Sequence, residues 1–227
     1  MANKKRVRLT TPKGVAKFPY LNRPDTKFNA DGEYRVQLLL DPNDEQVQEF
    51  LQRLDELTDE AVEKVKDDLV KEGKKAKAKA VKRRAAYKNE EDQDGEPTGM
   101  VEVKFRCKAK VKTKDGRVIE LRPAIFDAKA KPVENLDIYG GSVIKVNFTP
   151  SPYYVASSGE AGITLQLNAV QVIELVSKAG DAASFGFTEE EGFDSSEMGG
   201  AGNVEADDDT DTNDSDDSAD DADEEDF

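Results

Sequence analysis

Hydrophobic and polar residues alternate most regularly between residues 101 and 112 of this chain. The odd positions are apolar, and every even position after Glu102 is cationic: Lys104, Arg106, Lys108, Lys110 and Lys112. A period of two residues is typical of a strand with one buried and one exposed face. The pattern therefore predicts a strand whose outer face carries five cations in a row, about 7 Å apart.

Further segments carry strand patterns and are separated by turn residues. They are residues 15–20, 33–40, 117–126, 143–148 and 163–176. The triplet Lys114-Asp115-Gly116 predicts a hairpin that joins the cationic strand to residues 117–126. A loop is predicted for residues 149–154, because Pro150 and Pro152 cannot donate hydrogen bonds to a central ladder.

One long amphipathic helix is predicted over residues 44–72. Asp41 or Asn43 is its expected N-terminal cap, and Gly73 is its expected end. We expect the apolar stripe of the helix to pack on the β body, although its spacing also fits a helix used in dimerisation. The stripe consists of Val47, Phe50, Leu51, Leu54, Leu57, Ala61, Val65 and Leu69.

The charge of the chain is divided between two parts of opposite sign. The formal net charge is −15, but residues 181–227 hold 20 acidic and no basic residues, which leaves 28 acidic against 33 basic residues before them. We expect a basic flexible arm over residues 1–14, a folded body over residues 15–180 with a basic loop at 74–97, and a disordered acidic tail over residues 181–227.

The composition argues against several classes of protein. The chain has no histidine and one cysteine, Cys107, which disfavours zinc sites and the commonest general base and excludes an intrachain disulfide. Cys107 falls on the apolar face of its strand, so we expect a small core residue. No phosphate loop, nucleophile elbow or membrane-spanning apolar run is present. We therefore expect a non-enzymatic protein without metal, cofactor or membrane contact.

The exposed cations and tyrosines predict a site for single-stranded nucleic acid. Five outward cations of one sign are suited to a row of phosphates, since a solvated strand face usually mixes signs. Arg35 and Lys145 lie on the outer faces of their strands and extend this set. Tyr153 and Tyr154 are the best candidates for stacking on bases, and each such stack contributes roughly 1–3 kcal/mol.

The end of the acidic tail predicts a site for a protein partner. A dense acidic run ends in one aromatic residue, and the run closes with Asp223, Glu224, Glu225, Asp226 and Phe227. An aromatic anchor among acids suits an apolar pocket ringed with basic residues. Because the tail is tethered to the body, we also expect it to compete with DNA for the cationic face.

Several short motifs resemble those of the single-stranded-DNA-binding proteins of T7-like phages. They are Val103-Lys104-Phe105-Arg106-Cys107, Ile125-Phe126-Asp127, Gly140-Gly141-Ser142, Pro152-Tyr153, Leu165-Gln166-Leu167 and, more weakly, Leu21-Asn22-Arg23-Pro24-Asp25 and Tyr34-Arg35-Val36. The resemblance implies a mainly β fold: an OB-fold-like five-stranded barrel with one long inserted α-helix. It also implies homodimers. By position, Lys145, Tyr153 and Phe227 match groups that the family uses.

The resemblance further implies a function in the cytoplasm of an infected bacterial host. The expected activity is sequence-independent binding of single-stranded DNA in phage replication, recombination and repair, with promotion of strand annealing. The acidic tail would contact the phage DNA polymerase and the helicase–primase. Two alternatives remain open: an acidic-tailed chaperone of basic proteins, and an RNA-binding OB protein.

Overall fold

A computed structural model describes residues 7–27, 29–113 and 115–176, together with Thr188. The C-terminal residues Asp223, Glu224, Glu225, Asp226 and Phe227 lie outside the described residues, as does almost all of the predicted acidic tail. Within the described part, neither helix is both long and apolar enough to cross a membrane.

The described residues form eleven strands and two helices in a mainly β arrangement. In chain order these are β1 (Leu9–Thr10), β2 (Gly14–Asp25), β3 (Glu33–Leu40), α1 (Glu45–Lys71), α2 (Lys75–Lys79), β4 (Lys82–Arg83), β5 (Tyr87–Glu91), β6 (Pro97–Lys108), β7 (Lys110–Lys112), β8 (Val118–Glu120), β9 (Ala124–Phe126), β10 (Val143–Val155) and β11 (Glu160–Glu174).

Five strands form a closed circuit of pairings, which matches the predicted five-stranded barrel-like body. The order is β10-β2-β3-β6-β11, and β10 pairs with β11 to complete the circuit. The β6–β11 pairing is parallel, and the other four are antiparallel. The short strands β1, β4, β5 and β9 extend this body, whereas β7 and β8 form a separate hairpin.

The interior of the body is apolar, and the long helix contributes to it. Phe105 and Phe148 are fully buried with their ring centroids 5.1 Å apart, and Phe50 of α1 packs edge-on against Phe148 at 6.0 Å. Leu54 and Ala61 of the same helix are also buried. The apolar stripe of α1 therefore packs on the β body, as expected.

The helix ends differ in part from the sequence prediction. Asp44, rather than Asp41 or Asn43, is the N-terminal cap, and its carboxylate accepts a hydrogen bond from the Gln46 amide at 2.7 Å. At the other end, the amide of Gly73 bonds to the carbonyl of Val70, and the amide of Lys74 bonds to that of Leu69. Gly73 has a φ of 78°, so it ends the helix as predicted in a Schellman motif.

The segment 74–97 is not a loop, in contrast to the prediction. It contains α2, β4 and β5, and two of its side chains bind it to the long helix. Arg83 forms ion pairs with Asp55 at 2.5 Å and Asp59 at 2.6 Å, and the Tyr87 hydroxyl donates to Asp55 at 2.7 Å. The carboxylates of α1 thus hold part of the basic run in ordered structure.

The prediction of a flexible arm over residues 1–14 is also wrong for the second half of that segment. Leu9 and Thr10 pair with β10, and Gly14 already belongs to β2. Thr11 is buried, where its amide bonds to the Val146 carbonyl and its hydroxyl accepts from the Val146 amide. Hydrogen bonds to a distant strand therefore order residues that look like a polar terminus in the sequence.

The close packing of β2 against β3 generates a stability prediction at Gly14. A Cβ atom at this position would lie 2.7 Å from the Leu39 carbonyl oxygen and equally close to side-chain carbons of Leu38 and Leu40. We expect Gly14→Ala to lower the free energy of unfolding by about 1–3 kcal/mol through overpacking, as measured by urea denaturation.

Gly140→Ala is the matched control. A Cβ atom at Gly140 would meet its nearest neighbour, the carbonyl oxygen of Ala16, at 3.8 Å, which is ordinary contact. We expect a change within about 0.5 kcal/mol for this variant. Equal stability of the two variants would contradict the close approach of β3 to Gly14.

Candidate nucleic-acid interface

The outer face of β6 carries the central part of the predicted cationic row. Lys104, Arg106 and Lys108 are exposed, whereas Phe105 and Cys107 between them are buried. Burial, with a smaller contribution from the charge of Glu33, raises the pKa of the Cys107 thiol. The predicted alternation is therefore confirmed for residues 103–108, where Cys107 is a core residue, but it is wrong at Glu102, which is buried.

The prediction of five cations in one row is wrong beyond Lys108. The strand ends there, because the amide of Ala109 bonds to the Gly32 carbonyl and its carbonyl accepts from the Leu121 amide. Lys110 and Lys112 belong to the β7–β8 hairpin, which is a separate sheet.

The hairpin also turns Lys110 and Lys112 away from the β6 cations. Val111, which projects from the opposite side of β7, lines a groove together with Arg106 and Lys108. Lys110 instead lies 3.9 Å from Glu120 and lines a different depression. Three of the five predicted cations thus lie together on β6, and the other two lie on the β7–β8 hairpin.

The cations of β6 lack acidic partners, a property that they share with other described lysines such as Lys75 and Lys77 of α2. Within the described ranges, Lys104, Arg106 and Lys108 have no carboxylate within 4.0 Å. Some basic residues of α1 and of the segment after it are ion-paired: Arg53, Lys66, Lys71, Lys74, Arg83 and Arg84. An unpaired cationic row requires an external anion if its charge is to be neutralised.

A polar groove lies beside the β6 cations. Arg106 and Lys108 line one side, and Ser151, Thr164 and Gln166 of β10 and β11 line it as well. Gln166 is directly opposite Arg106 in the parallel pairing of β6 with β11. The groove therefore combines the positive charges of Arg106 and Lys108 with the single carboxylate of Glu33 and with neutral hydrogen-bonding groups, so that its charge is positive on balance.

Arg35 lies next to Arg106 across the sheet, but its charge is already engaged. Its guanidinium pairs with Asp25 at 2.6 Å and lies over the ring of Tyr20, 5.0 Å from the ring centroid. Its Nε atom is buried and has no hydrogen-bond partner among the described residues. Arg35 thus supports the side chains around it and is not an open cation like Arg106.

Lys145 occupies a second depression on the outer face of β10. Ile144 and Val146 on either side of it are fully buried, which confirms the outward direction of Lys145. Arg8 and Asn147 line the same depression. Arg8 was missed by the sequence prediction because it falls in the expected flexible arm.

Polar side chains connect the two cationic places along β10 and β11. The Asn168 amide donates to Asn147 at 3.2 Å and to Thr149 at 3.0 Å. Thr149 in turn pairs across the ladder with Gln166, which lines the groove of Arg106. We use the term outer polar face for a set of polar and cationic residues of β6, β10 and β11. They are Lys104, Arg106, Lys108, Lys145, Asn147, Thr149, Ser151, Thr164, Gln166 and Asn168.

Tyr153 and Tyr154 lie in a strand and not in a loop, so the loop prediction for residues 149–154 is wrong. Pro150 and Pro152 are tolerated because this half of β10 pairs with β11 alone. Adjacent residues of a strand point to opposite faces, so the two tyrosines cannot serve one site together.

Tyr153 is the tyrosine that shares the outer polar face. It follows the groove residue Ser151 by two positions, and its ring lies against Gly162, where an added Cβ would be 3.3 Å from it. Tyr154 lies opposite the fully buried Ala161. The structure therefore retains Tyr153 as a stacking candidate and disfavours Tyr154.

Two aromatic side chains that the sequence prediction missed are exposed on β2. Phe18 is 62% exposed and Tyr20 is 40% exposed. Tyr20 pairs with Arg35, which pairs with Arg106, so these three residues form one row across β2, β3 and β6. The sequence signal was Pro19, because proline inside a strand pattern indicates an edge or a bulge.

Comparisons with known proteins agree with this fold. The family model for the single-stranded DNA-binding protein of bacteriophage T7 matches residues 13–175. The single-stranded DNA-binding protein of Escherichia phage T7 is 28% identical over 170 residues, which cover 73% of this chain and 72% of that protein. Its counterpart from Enterobacteria phage T3 is 27% identical over 197 residues, which cover 79% and 81%.

A solved structure supports the assignment of the fold. The crystal structure of the single-stranded DNA-binding protein encoded by bacteriophage T7 matches this chain with a TM-score of 0.61 at 24% identity. The match covers 83% of this chain and 98% of that one. Since the family model spans well over half of the sequence, this chain belongs to the family of the bacteriophage T7 single-stranded DNA-binding protein.

Proposed function

We propose that this chain binds single-stranded DNA without strong sequence preference through its outer polar face. The observation that carries the proposal is the unpaired row of Lys104, Arg106 and Lys108 beside a polar groove. The phage relatives named above are single-stranded DNA-binding proteins, which supports the same function for this chain. The chain acts as a binding protein and not as an enzyme.

The chemistry of this face accounts for both the single strand and the lack of sequence preference. Phosphates are common to all sequences, so cations that neutralise them add affinity without reading bases. A single strand also offers unpaired base faces for stacking, which Tyr153 would use. Lys145 and Arg8 extend the electrostatic surface along β10.

We propose that the protein acts in phage DNA replication, recombination and repair in the cytoplasm of the infected host, as a homodimer. A face that binds strands through their phosphates and stacked bases supports annealing, because it binds complementary strands equally well whatever their sequences. The acidic residues and Phe227 at the C-terminus would contact the phage DNA polymerase and the helicase–primase. Their charge complements basic surfaces, and the single aromatic offers an anchor.

We further propose that the acidic tail competes with DNA for the outer polar face. The tail carries 20 acidic residues after residue 180, and the body before it has five more basic than acidic residues. A tethered segment acts at an effective concentration of order mM, so even weak contacts keep the cations occupied until DNA displaces it.

Loss of the β6 cations tests the proposed interface through the salt dependence of binding. Each phosphate contact on a single strand contributes about 0.7 to the slope of log K against log salt concentration. We expect Arg106→Glu combined with Lys108→Glu to lower this slope for a fluorescent oligo-dT by about 1.4 and to weaken binding.

The matched control is Lys66→Glu combined with Lys71→Glu on α1. It changes the net charge equally, but both lysines are already paired with acids of the same helix. We expect a much smaller change of slope than for the β6 pair. An equal change in the two double variants would mean that total charge, and not the outer polar face, determines binding.

Removal of the tail tests its competition with DNA. A chain that ends at Gly202 lacks 14 acidic residues. We expect this version to bind oligo-dT more tightly than the full chain at low salt, because the tethered competitor is absent. The advantage should shrink as salt screens the tail. Equal affinities at all salt concentrations would contradict the competition.

A direct competition between matched DNA and RNA oligonucleotides separates the proposal from the RNA-binding alternative. Contacts to 2′-hydroxyl groups would favour RNA. We expect the DNA oligonucleotide to compete at least as well as the RNA, because the proposed contacts involve phosphates and base faces alone.

A further inference from the structure

The strand β2 contains a bulge at which an aromatic residue adopts an unfavourable backbone conformation. Lys17 pairs with Gln37 and Tyr20 pairs with Arg35, so Phe18 and Pro19 together face the single residue Val36. Phe18 has a φ of 49°, in the left-handed region. A bulge whose first residue is left-handed normally has glycine there, because a bulky side chain is strained in that conformation.

The bulge exposes Phe18 instead of burying it. Ala16 and Leu21, on either side of the bulge, are buried in the core, yet Phe18 is 62% exposed. This is the largest exposure among the large apolar side chains of the described residues, and Phe18 and Tyr20 are the aromatic members of that group. Folding gains little from the Phe18 ring, so neither burial nor backbone preference explains a phenylalanine at this position.

Both exposed rings are accompanied by a fixed cation. The Lys17 ammonium lies over the Phe18 ring, 5.6 Å from its centroid, and is anchored at 2.5 Å by Glu90. The Arg35 guanidinium lies 5.0 Å from the Tyr20 centroid and is anchored by Asp25. The anchors hold each ring beside its cation and leave the rest of its surface to solvent.

We infer that Phe18 and Tyr20 form a base-stacking platform that extends the outer polar face onto β2. This inference rests on the proposed binding of single-stranded DNA. Tyr20, Arg35 and Arg106 share one row, so Tyr20 is about 10 Å from Arg106 across two strand spacings. Neighbouring nucleotides of one strand can therefore place a phosphate at Arg106 and a base on Tyr20.

The surroundings favour a nucleic acid over an apolar protein surface as the occupant. An apolar partner would have to cover Lys17 and Arg35 together with the rings, and the unpaired Arg106 lies at the end of the same row. Stacked bases leave the charged groups free to meet phosphates, and every base has a face on which such rings stack. The platform is thus expected to bind bases irrespective of sequence.

Abasic oligonucleotides separate stacking from charge in the test of this platform. The full chain, Phe18→Leu and Tyr20→Leu are titrated with fluorescent oligo-dT and with an abasic oligonucleotide of the same length, which carries the phosphates without bases. We expect each substitution to weaken oligo-dT binding about tenfold and to leave binding of the abasic strand unchanged. Phe18→Tyr, which keeps a ring, should retain oligo-dT affinity, and Arg106→Glu should weaken binding of both strands.

A stability measurement distinguishes a binding role from a structural one. Glycine relieves the left-handed strain at position 18, so Phe18→Gly should melt at the same or a higher temperature than the unchanged chain while it binds oligo-dT less tightly. A structural role predicts a lower melting temperature instead, and that result would overturn the inference.

Because the chain has no tryptophan, Phe18→Trp provides a single reporter at the platform. We expect oligo-dT to quench its emission and the abasic strand to leave it unchanged.

The remaining outcomes separate failure of the platform from failure of the proposed function. If the unchanged chain binds neither oligonucleotide, both proposals are overturned. If the unchanged chain binds oligo-dT and both leucine variants bind it equally well, the platform alone is overturned. If the leucine variants keep their oligo-dT affinity but sediment differently from the unchanged chain, the two rings belong to a contact between copies of the chain. That result would also overturn the inference.

Discussion

Closure of the five-strand circuit is the constraint on which the rest of the structure depends. Between β2 and β10 it is made by two residue pairs, Val15 with Val143 and Gly14 with Ile144, and Gly14 leaves no room for a Cβ atom. Once the circuit is closed, alternate side chains must enter a dry interior, where an unpaired charge is expensive. Lysine and arginine on these strands are therefore forced onto the outside, and the outer polar face follows from the same packing that fills the core.

The distribution of acidic partners then gives that face its chemistry. On α1 and on the segment after it, carboxylates neutralise some of the basic residues and help to fold the chain, as Asp55 and Asp59 do for Arg83. On β6, Lys104 and Arg106 have no such partners among the described residues. Successive exposed cations on one strand face, without acidic partners among the described residues, form a surface that suits a polyanion.

The sequence predicted those features that depend on local periodicity and missed those that depend on distant partners. The alternation around Phe105 and the end of α1 at Gly73 are local, and both were predicted correctly. The end of β6 at Lys108 was missed because it depends on distant partners of Ala109, whose amide donates to the Gly32 carbonyl and whose carbonyl accepts from the Leu121 amide. The bulge at Phe18 was missed for the same kind of reason, because it is visible only in the register of β2 against β3. The candidate site was thus predicted in its central cations and in Tyr153, but not in Phe18 and Tyr20.

A crystal structure of the full chain with a short oligo-dT tests the central claim most directly, because it locates the strand. The claim predicts phosphate oxygens within hydrogen-bond distance of Lys104, Arg106 and Lys108, with the strand on the outside of the five-strand circuit. A strand bound along the basic residues of α2, with these three cations left in solvent, would contradict it.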